Sequence, residues 1–304
     1  MNFELSEDQS SILTALDQIL APYADIPVDP AVCVYAEGLA ATLAESGFLD
    51  LIREPDFGPL DAALLVERVA RAPQVCETAA TALIAPAIDL PPGSGPVAIV
   101  SGDTGKPVRY LSRAGTLIVL DETSVAVASL SPDQVEDAET LLAYPYGRLK
   151  EPRSLELEER GDAGTVRRRW RIGLAAEAAG CMASALDAIL EHVQARFAFG
   201  RPLGSMQAIQ HRLAMAEETA QSTRWLAFRA AWTDDEADAA LAAGFAQDRI
   251  ARFTYDLHQF AGAMGLTLEF PLHLWTYRLR ALASDLGGAS MQARAAAHAI
   301  WGED

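Results

Sequence analysis

The chain has 304 residues, half of them apolar, and a formal net charge of −18 at pH 7. That length can bury a large core and hold two or three compact units, and the acidity argues against nucleic acid and anionic membrane as partners. No run approaches the eighteen or more apolar residues that cross a bilayer, the opening residues show no basic leader, and the three scattered cysteines (Cys33, Cys76, Cys181) suit buried thiols in a reducing cytoplasm better than disulfides or a metal site.

Residues 3–90 read as helical. Ile12, Leu13, Leu16, Ile19 and Leu20 mark one amphipathic face. Residues 39–51 read as a second helix broken at Gly47, and 60–72 as a third. The segment Leu90-Pro-Pro-Gly-Ser-Gly-Pro is turn chemistry and marks a boundary. After it, 96–100, 108–111, 116–120 and 124–130 are short β-branched runs separated by Gly, Asp and Ser, with 154–159 as a further candidate. They predict a small antiparallel β-domain. Gly102-Asp-Thr-Gly-Lys-Pro is not a phosphate loop, because Pro107 stands where a magnesium-binding hydroxyl is needed.

From residue 171 onward the chain is helical and alanine-rich, with breaks near Gly200, at 233–236 and at 262–271, giving four or five helices. Leu186, Ile189, Leu190 and Val193 share a face, Gly200 and Pro202 stop that helix, and Ser205 is the expected cap of the next. Arginine, phenylalanine and glutamine side chains therefore gather at a tight corner between two long helices. Free N–H groups at a helix start suit an anion there. Arg167-Arg-Arg-Trp-Arg is the densest basic patch and reads first as a solvated helix entry, with phosphates or acidic partner residues as the alternative. The histidines lack paired ligand spacing, so no metal site is expected.

The stretch 196–210, Arg-Phe-Ala-Phe-Gly-Arg-Pro-Leu-Gly-Ser-Met-Gln-Ala-Ile-Gln, closely resembles the Arg-x-x-Phe-Gly-x-x-[Leu/Ile]-x-x-x-Gln-x-[Ile/Leu]-Gln signature of the acyl-CoA dehydrogenase family. Downstream, Gln259-Phe-Ala-Gly-Ala-Met-Gly resembles that family's Gln-x-x-Gly-Gly-x-Gly loop. The resemblance is strong over 171–283, weak over 1–75 and nearly absent between. It implies a mainly α fold with a small β-domain: a shortened N-terminal helical domain over 1–92, a reduced β-domain over 93–160 and a C-terminal helical bundle over 161–304.

The resemblance also implies chemistry. A carboxylate takes a proton from Cα of an acyl-CoA while hydride passes from Cβ to FAD. By match to the family's motifs, Arg196 would hold the FAD pyrophosphate, with Phe199 and Gln207 beside it, and Gln259, Gly262 and Ala263 would approach the cofactor of a partner subunit. Ala198 and Ala263 depart from the pattern. The base is not found: seventeen residues on from Glu269 stands Leu286, and twenty-six before Arg196 stands Trp170. The family's Thr-Glu-x-x-x-Gly-Ser-Asp flavin cradle is missing too. The chain thus resembles the shorter, base-lacking subunit of the α2β2 enzymes of bacterial steroid and bile-acid side-chain degradation. No catalytic residue of its own is expected, and FAD is shared with a longer partner carrying the glutamate. Two alternatives stand beside this reading: an active homo-oligomer using Asp285 or Glu177 as base, with Glu177 otherwise expected on a helix surface or interface, and a non-catalytic scaffold.

Overall fold

A computed structural model of the chain describes residues 4–25, 31–198 and 200–302. Three short helices come first: α1 (Glu7–Leu20), α2 (Glu37–Glu45) and α3 (Pro59–Ala70). Ser6 and Gln9 cap α1 reciprocally, each side chain accepting the other's backbone N–H at 3.1 Å. The Gln9 amide then donates to Asp61 in the first turn of α3, at 3.0 Å. Gly47 ends the α2 segment in the left-handed region (φ 75°), where a residue without Cβ is unstrained. The break expected at Gly47 is present, and the chain continues as a 3-10 turn, Phe48–Arg53.

The middle of the chain forms β1 (Val97–Ser101), β2 (Val108–Arg109), β3 (Thr116–Leu120), β4 (Val125–Ser129), β5 (Val135–Asp137), β6 (Tyr146–Leu149) and β7 (Glu158–Glu159). They make two small sheets, ordered β1-β3-β4-β7 and β2-β6-β5. The expectation of a purely antiparallel domain is corrected here. β1 pairs parallel with β3, Val97 opposite Thr116, because the intervening chain first crosses to the other sheet as β2 and only then returns. The candidate strand at 154–159 shrinks to two residues, since Pro152–Ser154 takes a 3-10 turn. β5 and β6 escaped the pattern, being short and containing Glu136, Asp137 and Arg148 rather than a β-branched run.

The last part is built on α4 (Ala163–Ala195), whose final third carries the expected face of Leu186, Ile189, Leu190 and Val193. A two-strand hairpin, β8 (Phe197–Ala198) with β9 (Arg201–Pro202), leads to α5 (Gln207–Thr233), α6 (Glu236–Ala261), α7 (His273–Leu282) and α8 (Gly288–Trp301). Ser205 is not the cap of α5. Met206 holds that position with no side-chain bond, and the Ser205 hydroxyl turns back to donate to the carbonyl of Pro202 at 2.7 Å.

α4 is central because it is apolar nearly all round, from Ile172 to Ile189, and its neighbours α3, α5, α6 and α7 cover it. An 18-residue window of this helix has mean hydropathy 1.4, long and apolar enough by composition to cross a membrane, which a count of uninterrupted apolar residues missed because of Glu177 and Asp187. Inside the protein, 78% of that window is buried. Where α4 crosses α3, a Cβ on Gly180 would lie 2.2 Å from the carbonyl oxygen of Glu67 and 2.8 Å from Cβ of Ala70, so the backbones touch. Arg278 of α7, 2% exposed, locks the same region: its guanidinium donates to the carbonyls of Ala70, Ala72 and Pro73, at 3.3, 2.8 and 2.9 Å. These carbonyls lie at and just beyond the end of α3, where a cation also meets the negative end of the helix dipole.

Gly180→Ala is expected to force α3 and α4 apart and cost about 1–3 kcal/mol, read as a lower urea midpoint. Ala at the half-buried Gly58, whose Cβ would meet nothing within 4 Å, is the matched control.

Candidate functional site

The antiparallel run of α4, α5 and α6 brings the end of α4, the start of α5 and the end of α6 to one end of the bundle. Arg196 is the first residue beyond α4, its N–H donating to the carbonyl of His192 at 2.9 Å. Its own carbonyl accepts from Leu203 N–H at 2.8 Å, which closes the corner. The guanidinium is exposed, and among the described residues no carboxylate pairs with it. Gln207, exposed, is the first residue of α5, and with no side-chain cap the opening N–H groups of that helix are left open. Gln210 is consumed structurally, donating to the carbonyl of Gly204 at 2.9 Å. Phe199 lies outside the described residues.

Gln259, Gly262 and Ala263 are also exposed at this end. Gly262 terminates α6 at φ 63°, ψ −141°, a conformation that favours glycine, and a Cβ there would meet nothing within 4 Å. The turn after it is fastened by His258, whose Nδ1 lies 2.9 Å from the carbonyl of Gly265 and Nε2 3.0 Å from the Thr276 hydroxyl. Burial holds His258 below its ordinary pKa, so near neutral pH it is an uncharged clamp. Arg212 of α5 pairs with Asp256 of α6 and lies 4.9 Å from the centre of the Phe260 ring, binding the two helix ends together. Around these polar groups stand exposed apolar side chains, Phe197 at 65% and Leu266 at 80%. The structure therefore offers an arginine, two amides, an uncapped helix start and an open glycine backbone at one apolar-rimmed end.

The basic patch at 167–171 is neither a solvated face nor a free phosphate site. Arg167 donates to the carbonyls of Asp121 and Glu122, Arg168 and Arg169 share Asp234 at 2.9 and 2.8 Å, and Arg171 binds Gln292 at 2.7 Å and pairs with Glu236. The patch staples the start of α4 to the β3–β4 turn, the α5–α6 turn and α8.

A second cluster sits where β2 meets α4 and the α7–α8 turn. Arg109 donates to Glu177 of α4 at 2.8 Å and to Asp285 at 3.1 Å, and Tyr144 donates its hydroxyl to the other oxygen of Glu177 at 2.8 Å. The guanidinium lies 4.8 Å from the centre of the Tyr144 ring. Glu177, 7% exposed, is therefore neither on a helix surface nor at an open interface. Asp285 is pushed up to about 6, burial outweighing the lowering by Arg109.

Leu286 follows at φ 52°, a left-handed conformation that strains a branched residue, and Tyr110 next to Arg109 is at φ 64°. Two buried glutamines hold the strained turn: Gln247 donates to the carbonyls of Leu282 and Asp285, and Gln292 to that of Leu286. Trp170 faces the same small internal void as Arg109 and Glu177. Both positions at which the resemblance expects a base thus lie at this cluster, both are apolar, and the neighbouring carboxylates are tied to one arginine. Arg109 and Tyr144 were not legible in the sequence: each lies far along the chain from its partner, and no local pattern announces the pairing.

Arg109→Leu strands the buried Glu177 and is expected to destabilise the chain by about 3–5 kcal/mol. Adding Glu177→Gln should recover at least half of that loss in urea unfolding, an outcome that a simple packing defect at Arg109 would not give.

The comparisons with known proteins agree with this geometry. Residues 168–300 match the family profile "Acyl-CoA dehydrogenase, C-terminal domain". Acyl-CoA dehydrogenase IpdE2 of Mycolicibacterium smegmatis is 32% identical over 121 residues, 40% of this chain and 39% of that protein. The chain spans about a quarter to two fifths of the length of the curated relatives it matches first. Over nearly the whole chain the fold is that of the ChsE4–ChsE5 complex from Mycobacterium tuberculosis, with a TM-score of 0.75, 18% identity and 97% of both chains covered. It is also that of the Tcur3481–Tcur3483 steroid ACAD, with a TM-score of 0.78, 21% identity and 97% and 98% covered. The family match is thus to the C-terminal domain over residues 168–300, and the chain as a whole shares its fold with the solved structures named above.

Proposed function

We propose that this chain is the base-lacking subunit of a heteromeric, FAD-dependent acyl-CoA dehydrogenase. In this reading it completes a cofactor site from its bundle end while a longer partner supplies the catalytic glutamate. The observation that carries it is the Arg109 cluster. Leu286 and Trp170 cannot take a proton, and the two carboxylates nearest to them are held by a guanidinium that would have to be displaced before either could act as a base. Asp285 and Glu177 are accordingly read as structural, not catalytic.

The bundle end fits half of an FAD site. Arg196 presents charge-assisted donors suited to a pyrophosphate, the start of α5 adds backbone N–H groups, and Gly262 leaves room for close approach of a cofactor held mainly by a neighbour. Gln207, Gln259 and Ala263 complete this surface, and Phe199 is assigned to it by its motif. FAD, when bound, supplies the acceptor for the hydride leaving the acyl Cβ. This chain's residues position the cofactor and exclude water. Its own β-rich part does not offer a flavin cradle, because Arg109 and Tyr144 already fill the space between that part and α4.

Two further points belong to the proposal. The segments 1–92, 93–160 and 161–304 act as domains, and the assembly is an α2β2 cytoplasmic enzyme acting on a bulky steroid or bile-acid side-chain thioester. The fold shared with a two-protein complex and with a steroid ACAD supports that substrate and partner class.

The test is flavin absorbance near 450 nm of the chain purified alone and after co-expression with a longer acyl-CoA dehydrogenase that carries a glutamate base. The expected result is a colourless chain alone and a yellow, active complex. Arg196→Ala should weaken FAD retention by about 10–100-fold, the worth of hydrogen bonds to a charged group, with the complex still assembled on gel filtration. Flavin and turnover in the chain alone would overturn the proposal, and a stable complex without flavin would favour a scaffold.

A further inference from the structure

A large cavity lies away from the bundle end, and its innermost carboxylate, Glu77, also borders the small void beside Arg109 and Glu177. The cavity measures about 700 Å³ and opens between the first helices and the β-rich part. Ala41 and Ala44 of α2 form one wall, and Leu111, Leu130 and Val135 the other. This is the size and make-up of a small-molecule site: mostly apolar walls, formed where two parts of a chain meet, with a few polar groups converging.

Its charged groups are of nearly one sign. Glu37, Asp50, Glu136 and Asp137 line it together with Glu77, against the single cation Arg113, which already pairs with Glu37 at 3.2 Å. Glu77 is the informative member. It is 3% exposed, and every group that bonds it is neutral: the N–H of Ala80 at 2.7 Å, the N–H of Val97 at 3.5 Å and the hydroxyl of Thr81. No cation pairs with it among the described residues, although a buried carboxylate is costly to keep without one. Burial pushes Glu77 up to about 7, with the nearby Glu177 adding to the rise. Phosphates and carboxylates would meet five acidic side chains here, so neither an acyl-CoA nor the pyrophosphate of FAD suits this cavity.

We propose that the cavity binds a compact, mainly apolar molecule carrying an ammonium group, with the ammonium set against Glu77 and the apolar body between α2 and the β-rich wall. The charge complementarity selects the ligand class, and the cavity volume limits it to a body of small-drug size. This site is independent of the cofactor-facing end, so it stands or falls apart from the heteromeric dehydrogenase reading.

The test uses two probes with the same hydrocarbon cage and opposite charge, 1-adamantanamine and 1-adamantanecarboxylate, in equilibrium dialysis against the full chain. The amine is expected to bind at least tenfold more tightly than the carboxylate. Glu77→Gln should lower amine affinity at least tenfold. Because that variant alters a buried group, Ala41→Trp provides the second arm: Ala41 is exposed on α2 and lines the cavity, so the variant should fold normally and block the amine by filling the space. Equal binding of both probes, no binding of the amine, or amine binding untouched by Ala41→Trp would each overturn the proposal.

Discussion

One guanidinium ties the β-rich part to two elements of the C-terminal helices. Arg109 comes from a two-residue strand, Glu177 from the middle of the buried helix α4, and Asp285 from the strained turn between α7 and α8. A single arginine can satisfy two carboxylates because its planar fork presents several donors at fixed angles. Breaking one of these buried pairs would be costly, so the β-rich part, α4 and the α7–α8 turn hold one another in register. The left-handed residues Tyr110 and Leu286 flank the cluster and persist because the surrounding packing and the two buried glutamines over-determine them.

The same interaction bears on function. Proton abstraction from an acyl chain, as proposed for the complex, needs a free carboxylate within reach of the substrate. Here that neighbourhood holds leucine, tryptophan, a tyrosine pair and a closed ion pair, with a void of about 20 Å³ beside Trp170. The opposite end of the bundle carries an arginine with no ion pair among the described residues, exposed amides and exposed Phe197 and Leu266. One face is sealed by polar pairing and the other is open with apolar side chains in water.

α4 carries both faces. Its glycine at 180 lets α3 approach to backbone contact, its glutamate at 177 receives Arg109, its arginines at 167–171 staple neighbouring turns, and its end delivers Arg196. Each is set by helical spacing once the helix is placed. The direction in which each points was decided by what packs around it.

By itself the sequence determined the elements with strong local signals. The helices with apolar stripes, the break at Gly47, the central strands and the motif residues from Arg196 to Gly262 follow from periodicity, glycine freedom and motif spacing, all of which are local. It also determined that Leu286 and Trp170 cannot be bases, since that depends only on residue type. Tertiary structure decided the rest. The parallel pairing of β1 with β3, the capture of the basic patch by Asp234 and Glu236, and the meeting of Arg109 with Glu177 and Asp285 all depend on contacts between residues distant in the chain. Pairing energies between distant groups exist only after the chain has folded, so no local pattern encodes them.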